Sequence, residues 1–261
     1  MKILRRIAVF ALIAGVLVTA SYVFFLSPRR VVPILMYHSI SDSQDSSMYV
    51  SPRNFERQMS FLNDRGYRVI SLDELVDDIK QGRGNKAKTV VITFDDGFED
   101  NYLKAFPILA RYDFPATVFL ATGYVGKEGY LNWDQVNVMI RGGIDFGSHT
   151  RNHAYLPSVE NTFELWEEVA GSRDDIARAT GKIPGFLAYP IGGFNDKVKL
   201  AVKKAGYRGA CTTNRGYDRY NRDVFELRRI KVSNSDTTKP FNFRAKLSGF
   251  YDLFRSVKSP E

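Results

Sequence analysis

The sequence predicts an α/β fold: a (β/α) barrel, distorted or incomplete with seven to eight strands, preceded by an N-terminal transmembrane helix. Three observations predict it. Short β-branched or aromatic runs alternate with longer amphipathic stretches over about 230 residues, so successive strands pair in parallel and a closed ring is the economical arrangement. The length of 261 residues suits a single domain of this kind. An uncharged apolar run at residues 7–26 stands apart from the alternation.

That run follows Lys2, Arg5 and Arg6 and is closed by Ser27-Pro28-Arg29-Arg30. Twenty helical residues at ~1.5 Å rise span about 30 Å, the hydrocarbon thickness of a bilayer. Val18-Thr19-Ala20 offers the competing reading of a cleaved signal peptide. Residues 1–30 are therefore an anchor or signal segment and residues 31–261 a separate domain. The basic residues before the run keep the amino terminus cytoplasmic and send the domain across the membrane, to the periplasm or cell surface, or into the medium if the segment is cleaved.

Strands are expected at residues 32–37, 68–71, 89–94, 116–121, 144–147, 186–189, 208–212 and 228–232, each a β-branched or aromatic run bounded by turn residues. Ser51-Pro52 supplies an N-cap and a first-turn proline to a helix striped by Phe55, Met59 and Leu62 and closed by Gly66. Residues 195–205 form another helix, ending at Gly206. Phe243, Leu247, Phe250, Phe254 and Val257 recur at helical spacing, as in an outer helix packed on the barrel. No second domain, repeat or low-complexity tract is visible.

With 44% hydrophobic and 25% charged residues, the composition excludes a disordered or collagen-like chain. The single cysteine, Cys211, excludes an intramolecular disulfide and reads as a small buried hydrophobe. The net charge is +8, but Lys2, Arg5, Arg6, Arg29 and Arg30 account for five of those charges. The domain itself is near balance and lacks the clustered basic and aromatic residues of a nucleic-acid interface.

Chemistry-bearing residues concentrate at strand ends. The three histidines, His38, His149 and His153, lie at or within a turn of a predicted strand's carboxyl end, and Asp95-Asp96-Gly97 does likewise. In a barrel these ends meet in one mouth. His149 and His153, four apart, can chelate one ion, and a carboxylate from Asp95-Asp96 would complete a two-histidine, one-carboxylate site. Taken singly, such a histidine pair is as readily a surface pair and Asp-Asp-Gly a plain turn.

Thr93-Phe94-Asp95-Asp96-Gly97 and His149-Thr150-Arg151-Asn152-His153 resemble the first two signature motifs of the polysaccharide deacetylase family, the NodB-homology domain of carbohydrate esterase family four. Tyr189-Pro190-Ile191-Gly192 is similar to the third. Pro33-Ile34-Leu35-Met36-Tyr37-His38 resembles the branch acting on poly-N-acetylglucosamine exopolysaccharide, and the likeness spans residues 31–232.

The resemblance implies that Asp95 is the general base, that Asp96, His149 and His153 hold a divalent metal, zinc first with nickel, cobalt or iron as alternatives, and that protonated His38 is the general acid. It also implies that Tyr189, Pro190, Ile191 and Gly192 line the substrate and oxyanion position, with an amide near Ile191 as donor. Trp133, Tyr130 and Tyr155 are candidate sugar platforms. The wider family carries an arginine where this chain has Ala188, and Arg228 or Arg229 is the replacement on hand.

The implied activity is hydrolytic removal of N-acetyl groups from N-acetylglucosamine polysaccharide, releasing acetate. The partners expected are the glycan and, through residues 1–30, the membrane, with no nucleic acid; the sequence leaves the oligomeric state open. Two alternatives share these residues: a metal hydrolase of another amide or ester, and an anchored carbohydrate-binding protein without catalysis.

Overall fold

The computed structural model describes residues 2–21, 31–42, 48–83, 87–213, 215–216, 218–251 and 258–260. Helix α1 (Lys2–Ser21) comes first. Strand and helix then alternate: β1 (Ile34–Tyr37), α2 (Pro52–Asp64), β2 (Arg68–Val69), α3 (Leu72–Lys80), β3 (Thr89–Phe94), α4 (Phe106–Arg111), β4 (Ala116–Leu120), α5 (Trp133–Arg141) and β5 (Ile144–Ser148). They are followed by α6 (Thr162–Trp166), α7 (Ser172–Thr180), β6 (Phe186–Ala188), α8 (Asp196–Lys204), β7 (Gly209–Thr212), β8 (Leu227–Arg228), β9 (Ile230–Lys231), α9 (Asn234–Thr238) and α10 (Pro240–Lys246).

Neighbouring strands all run parallel, in the order β8-β7-β6-β5-β4-β3-β1-β9, with β2 pairing the start of β3. β8 and β9 are two halves of one extended stretch interrupted only by Arg229. The first half pairs with β7 and the second with β1, so this stretch bridges the two ends of the sheet and nearly closes a barrel. All eight strands read from the sequence have counterparts, the last of them split.

Closure follows from the side-chain pattern. β1, β3, β4, β6 and β7 are buried along their whole length, as parallel strands covered on both faces must be. Along β1, Ile34 joins an inner cluster with Val91, Phe119, Phe186, Ala188, Cys211 and Leu227. Leu35 and Tyr37 face the other way, onto Phe55, Met59 and Leu62 of α2. Gly147 of β5 leaves room for the Phe119 ring, which a Cβ there would meet at 2.5 Å.

Helix α3 lies across the amino-terminal end of the barrel. Its Leu72, Leu75 and Val76 join the inner cluster, while Asp73 and Asp77 pair with Arg208 just before β7. Caps set the helix starts: Ser51 accepts from Asn54 N, Ser71 from Glu74 N and Asn195 from Val198 N, bonds each worth roughly 1 kcal/mol.

One sequence expectation is corrected and another is reached only in part. Helix α1 is described over Lys2–Ser21, with Lys2, Arg5 and Arg6 among its first five residues. Among the described residues no helix is long and apolar enough to cross a membrane; the rest of the apolar run, residues 22–26, lies outside them. Near the carboxyl end, α10 stops at Lys246 and the chain turns at Gly249, whose φ of 79° breaks the helical spacing. Phe243 and Leu247 are buried as expected, whereas Phe254 and Val257 lie outside the described residues.

Candidate active site

β1, β3 and β5 end at Tyr37, Phe94 and Ser148, which makes His38, Asp95 and His149 the next residues on three strands of one parallel sheet. The ladders continue into them: Asp95 N donates to Tyr37 O at 3.0 Å and His149 N to Leu120 O at 2.7 Å. All five polar residues singled out at strand ends therefore meet at the carboxyl mouth. Seven non-glycine residues with positive φ occur among the described residues, and four of them, Asp96, Thr150, His153 and Ile191, sit in these mouth loops. Such backbone costs of order 1–3 kcal/mol each and gathers where side chains must be aimed.

The Oδ1 of Asp96 is 3.5 Å from His149 Nε2 and 3.5 Å from His153 Nε2. One ligand atom from each of the three residues lies within 4.8 Å of the others. The Nδ1 of His149 bonds Ala188 O at 2.7 Å. That bond assigns the proton to Nδ1 and leaves Nε2 a lone pair pointing at Asp96, the tautomer a metal ligand needs. Burial lowers the pKa of both His149 and His153, keeping them neutral. Burial, against the pull of His149 and with the push of Asp95, raises Asp96 to about 6. Two neutral imidazoles and a carboxylate short of positive charge form a donor set that fits a divalent cation.

Asp95 is held differently. Arg229 donates from Nη1 to Oδ1 at 2.6 Å and from Nη2 to Oδ2 at 2.7 Å, a bidentate pair in which neither side chain is more than 4% exposed. The same guanidinium reaches Thr93 Oγ1 at 3.3 Å and Thr212 O at 3.2 Å, and lies 5.3 Å from the Phe119 ring centroid. Burial alone would raise the Asp95 carboxyl; Arg229 and, less strongly, His149 and His38 hold it well below the usual carboxylate range. Of the two arginines considered for the charge missing at Ala188, Arg229 reaches Asp95. Arg228 instead bonds Gly216 O at 3.1 Å.

His38 Nε2 stands 4.0 Å from Asp95 Oδ2. Burial, reinforced by Arg229 and Lys231 and opposed by Asp95, lowers its pKa to about 4. The resting imidazole is therefore neutral at physiological pH.

The third-motif residues divide. Tyr189 is fully buried, donates from its hydroxyl to Phe225 O at 3.1 Å and stacks on Phe194 at 4.9 Å, so its side chain belongs to the core and not to a substrate surface. Pro190 and Gly192 are buried and Ile191 is 57% exposed. The internal bonds of this turn, Gly192 N to Tyr189 O and Gly193 N to Pro190 O, do not use the Ile191 amide. Trp133 opens α5 and packs half-buried against the outer core. Tyr130 does border the site: burial and then the charge of Asp96 raise its pKa, and it packs on Phe98 and Tyr124 at 5.3 and 5.2 Å. The ring of Tyr155 occupies the space a side chain on Gly193 would fill.

Three residues that motif reading passed over also shape the mouth. Asn101 Nδ2 donates to His38 O at 2.8 Å, and Asp100 accepts from Ile40 N at 3.0 Å and from Ser39 Oγ. Glu168 lies under the histidine loop. Asn101 and Glu168 fall in wide, π-type turns, residues 101–105 and 167–171, which hydrophobic periodicity does not disclose.

Comparison with known proteins adds the following. The family described as polysaccharide deacetylase matches residues 82–210. A Bacillus subtilis protein named as a polysaccharide deacetylase, YxkH, is 32% identical over 82% of this chain and 76% of its own length. A poly-beta-1,6-N-acetyl-D-glucosamine N-deacetylase of Staphylococcus aureus is 29% identical over 76% of this chain and 73% of its own. The Streptococcus pyogenes deacetylase PplD, solved in complex with acetate, superposes with a TM-score of 0.76 at 28% identity, covering 83% of this chain and 97% of that one.

Proposed function

The chain belongs to the polysaccharide deacetylase family and is a deacetylase; from that premise we propose that it removes N-acetyl groups from an N-acetylglucosamine polymer in a metal-dependent hydrolysis. One observation carries the reading: an Asp96-His149-His153 cluster of facing ligand atoms beside a carboxylate clamped in its ionised form by Arg229. The staphylococcal relative, named for a β-1,6-linked substrate, supports the choice of polymer.

Asp96, His149 and His153 would hold the ion, zinc first given imidazole and carboxylate donors. When bound, a divalent ion supplies a water whose pKa falls from 15.7 toward about 7 and polarises the acetyl carbonyl. The Asp95 carboxylate, fixed by Arg229, takes the attacking water's proton. The bidentate pair occupies one edge of the Asp95 carboxylate, and Oδ2 also stands 4.0 Å from His38 Nε2 and 3.9 Å from His149 Nε2. His38 passes a proton to the departing amine, a role of the kind worth roughly 10²–10⁴-fold. Since the resting imidazole is neutral, it gains that proton during turnover with Asp95 alongside. The amide of Ile191 donates to the oxyanion. Residues 1–30 act as an anchor or export signal that places the barrel outside the cytoplasm.

The test is amine release by the full chain on β-1,6 and β-1,4 N-acetylglucosamine oligomers, before chelation, after it and with zinc restored. Release that stops on chelation and returns with zinc is expected, with the β-1,6 oligomer preferred. Folded, zinc-loaded protein that releases no amine from either polymer would overturn the proposal.

A further inference from the structure

The loop carrying both histidines, residues 149–153, has almost no regular structure of its own. Thr150 and His153 have φ of 63° and 56°, and its hydrogen bonds run outward. Thr150 O and Arg151 O accept from the amides of Thr122 and Gly123 at 3.1 and 2.7 Å, where a side chain on Gly123 would meet Arg151 O at 2.8 Å. Thr150 N turns back to Ser148 Oγ at 3.0 Å, and the three donors that follow converge on one carboxylate. Glu168 Oε2 accepts from Arg151 N at 3.0 Å and Asn152 N at 2.9 Å, and Oε1 from Asn152 Nδ2 at 2.6 Å.

Glu168 can do this because of the wide turn at residues 167–171. Residues 168–172 are buried in succession, which a regular α-helix lying on a sheet cannot arrange, since its buried stripe recurs every three to four residues. The inserted residue turns Glu168 toward the loop while Val169 stays in the core. Arg151 is drawn to the same helix by Glu167 and Asp175, at 2.6 and 2.9 Å, and its guanidinium fills the space beside Gly171. The turn at residues 101–105 is built alike, with Asn101 on His38 O.

We infer that Glu168 is a positioning residue: by accepting all three donors it fixes the backbone between His149 and His153 and so sets the distance between the two imidazoles. The inference rests on the reading of Asp96, His149 and His153 as metal ligands. Wild-type zinc binding is measured first for that reason: a full chain that takes up no zinc refutes the ligand reading itself, independently of Glu168.

With binding established, zinc affinity and the visible absorption of the cobalt(II)-loaded protein are compared among wild type, Glu168→Ala and Glu168→Gln. Glu168→Ala is expected to bind zinc about tenfold or more weakly, within the 10–100-fold span typical of groups that orient metal ligands, and to shift the cobalt bands. Glutamine keeps an oxygen for the two amides, and its NH₂ is satisfied once the Asn152 amide rotates; Glu168→Gln is expected within about threefold of wild type by the same accounting. Should Glu168→Ala fail to fold by circular dichroism, Glu168→Asp, one methylene too short to span these contacts, is expected to show the same loss. Wild-type affinity and spectrum in folded Glu168→Ala or Glu168→Asp would overturn the inference. So would a Glu168→Gln protein as impaired as Glu168→Ala, since charge and not bonding would then be at work.

Discussion

Asp95→Asn preserves the shape of the side chain but removes the lone-pair basicity on which water activation depends. Turnover is expected to fall by about 10²–10⁴-fold with zinc stoichiometry unchanged, whereas His149→Ala is expected to lose both, as read by amine release beside metal analysis. Arg229→Met tests the clamp. Breaking a buried pair by removing one partner costs about 3–5 kcal/mol, measurable by urea unfolding. With Arg229 gone, burial dominates and raises the Asp95 carboxyl, so the acid limb of the pH–rate profile moves to higher pH. For His38, a base whose folded pKa of about 4 lies below its ordinary 6.5, the unfolded chain binds the proton more readily, and stability is lost as pH falls through that window. Between pH 7 and pH 4 the metal-free wild type is expected to lose about 3 kcal/mol more than His38→Gln. Asp96, raised to about 6, works in the opposite sense in both proteins and cancels in the comparison. At this scale the legible residues were those whose chemistry is local: Asp95, Asp96, His38, His149 and His153 stand at strand ends in sequence and in space. Arg229 was legible only as one of two adjacent arginines, because its partner is far away in sequence and its direction depends on which residue of a short strand faces inward. Tyr189 misled because a motif position reports the backbone turn it starts, not the exposure of its side chain.

β1, β3, β4, β6 and β7 could be read because burial on both faces leaves a continuous β-branched or aromatic run, and α2 because Ser51, Pro52 and Gly66 punctuate it. What could not be read is packing that depends on the absence of a side chain. Gly147 is one case: within β5 its missing Cβ is what lets Phe119 enter the barrel, with the Phe186 carbonyl only 2.8 Å from the Cβ position. Gly147→Ala is therefore expected to cost about 1–3 kcal/mol through overpacking, detected as a lowered Tm with no change in zinc stoichiometry. The wide turns at residues 101–105 and 167–171 were equally invisible, since one inserted residue barely perturbs an apolar stripe while redirecting Asn101 and Glu168.

For the molecule as a whole, α1 presents exposed apolar side chains such as Phe10 and Leu12, at 75% and 69%, and the barrel closes through residues 34–231 without it. A chain starting at Val31 is expected to keep the Tm and zinc affinity of the full chain within error, and to lose only partition into a detergent or lipid phase; a large drop in Tm would show that α1 packs on the barrel. The split between β8 and β9 has a further consequence. Arg229, at the seam, is made after every other residue assigned to the site, 134 positions beyond the carboxylate it clamps. A chain cut short before the seam lacks both the closing strands and the cation that holds Asp95 ionised, and is expected to release no amine in the oligomer assay. The stretch that shuts the ring is thus also the one that arms the carboxylate.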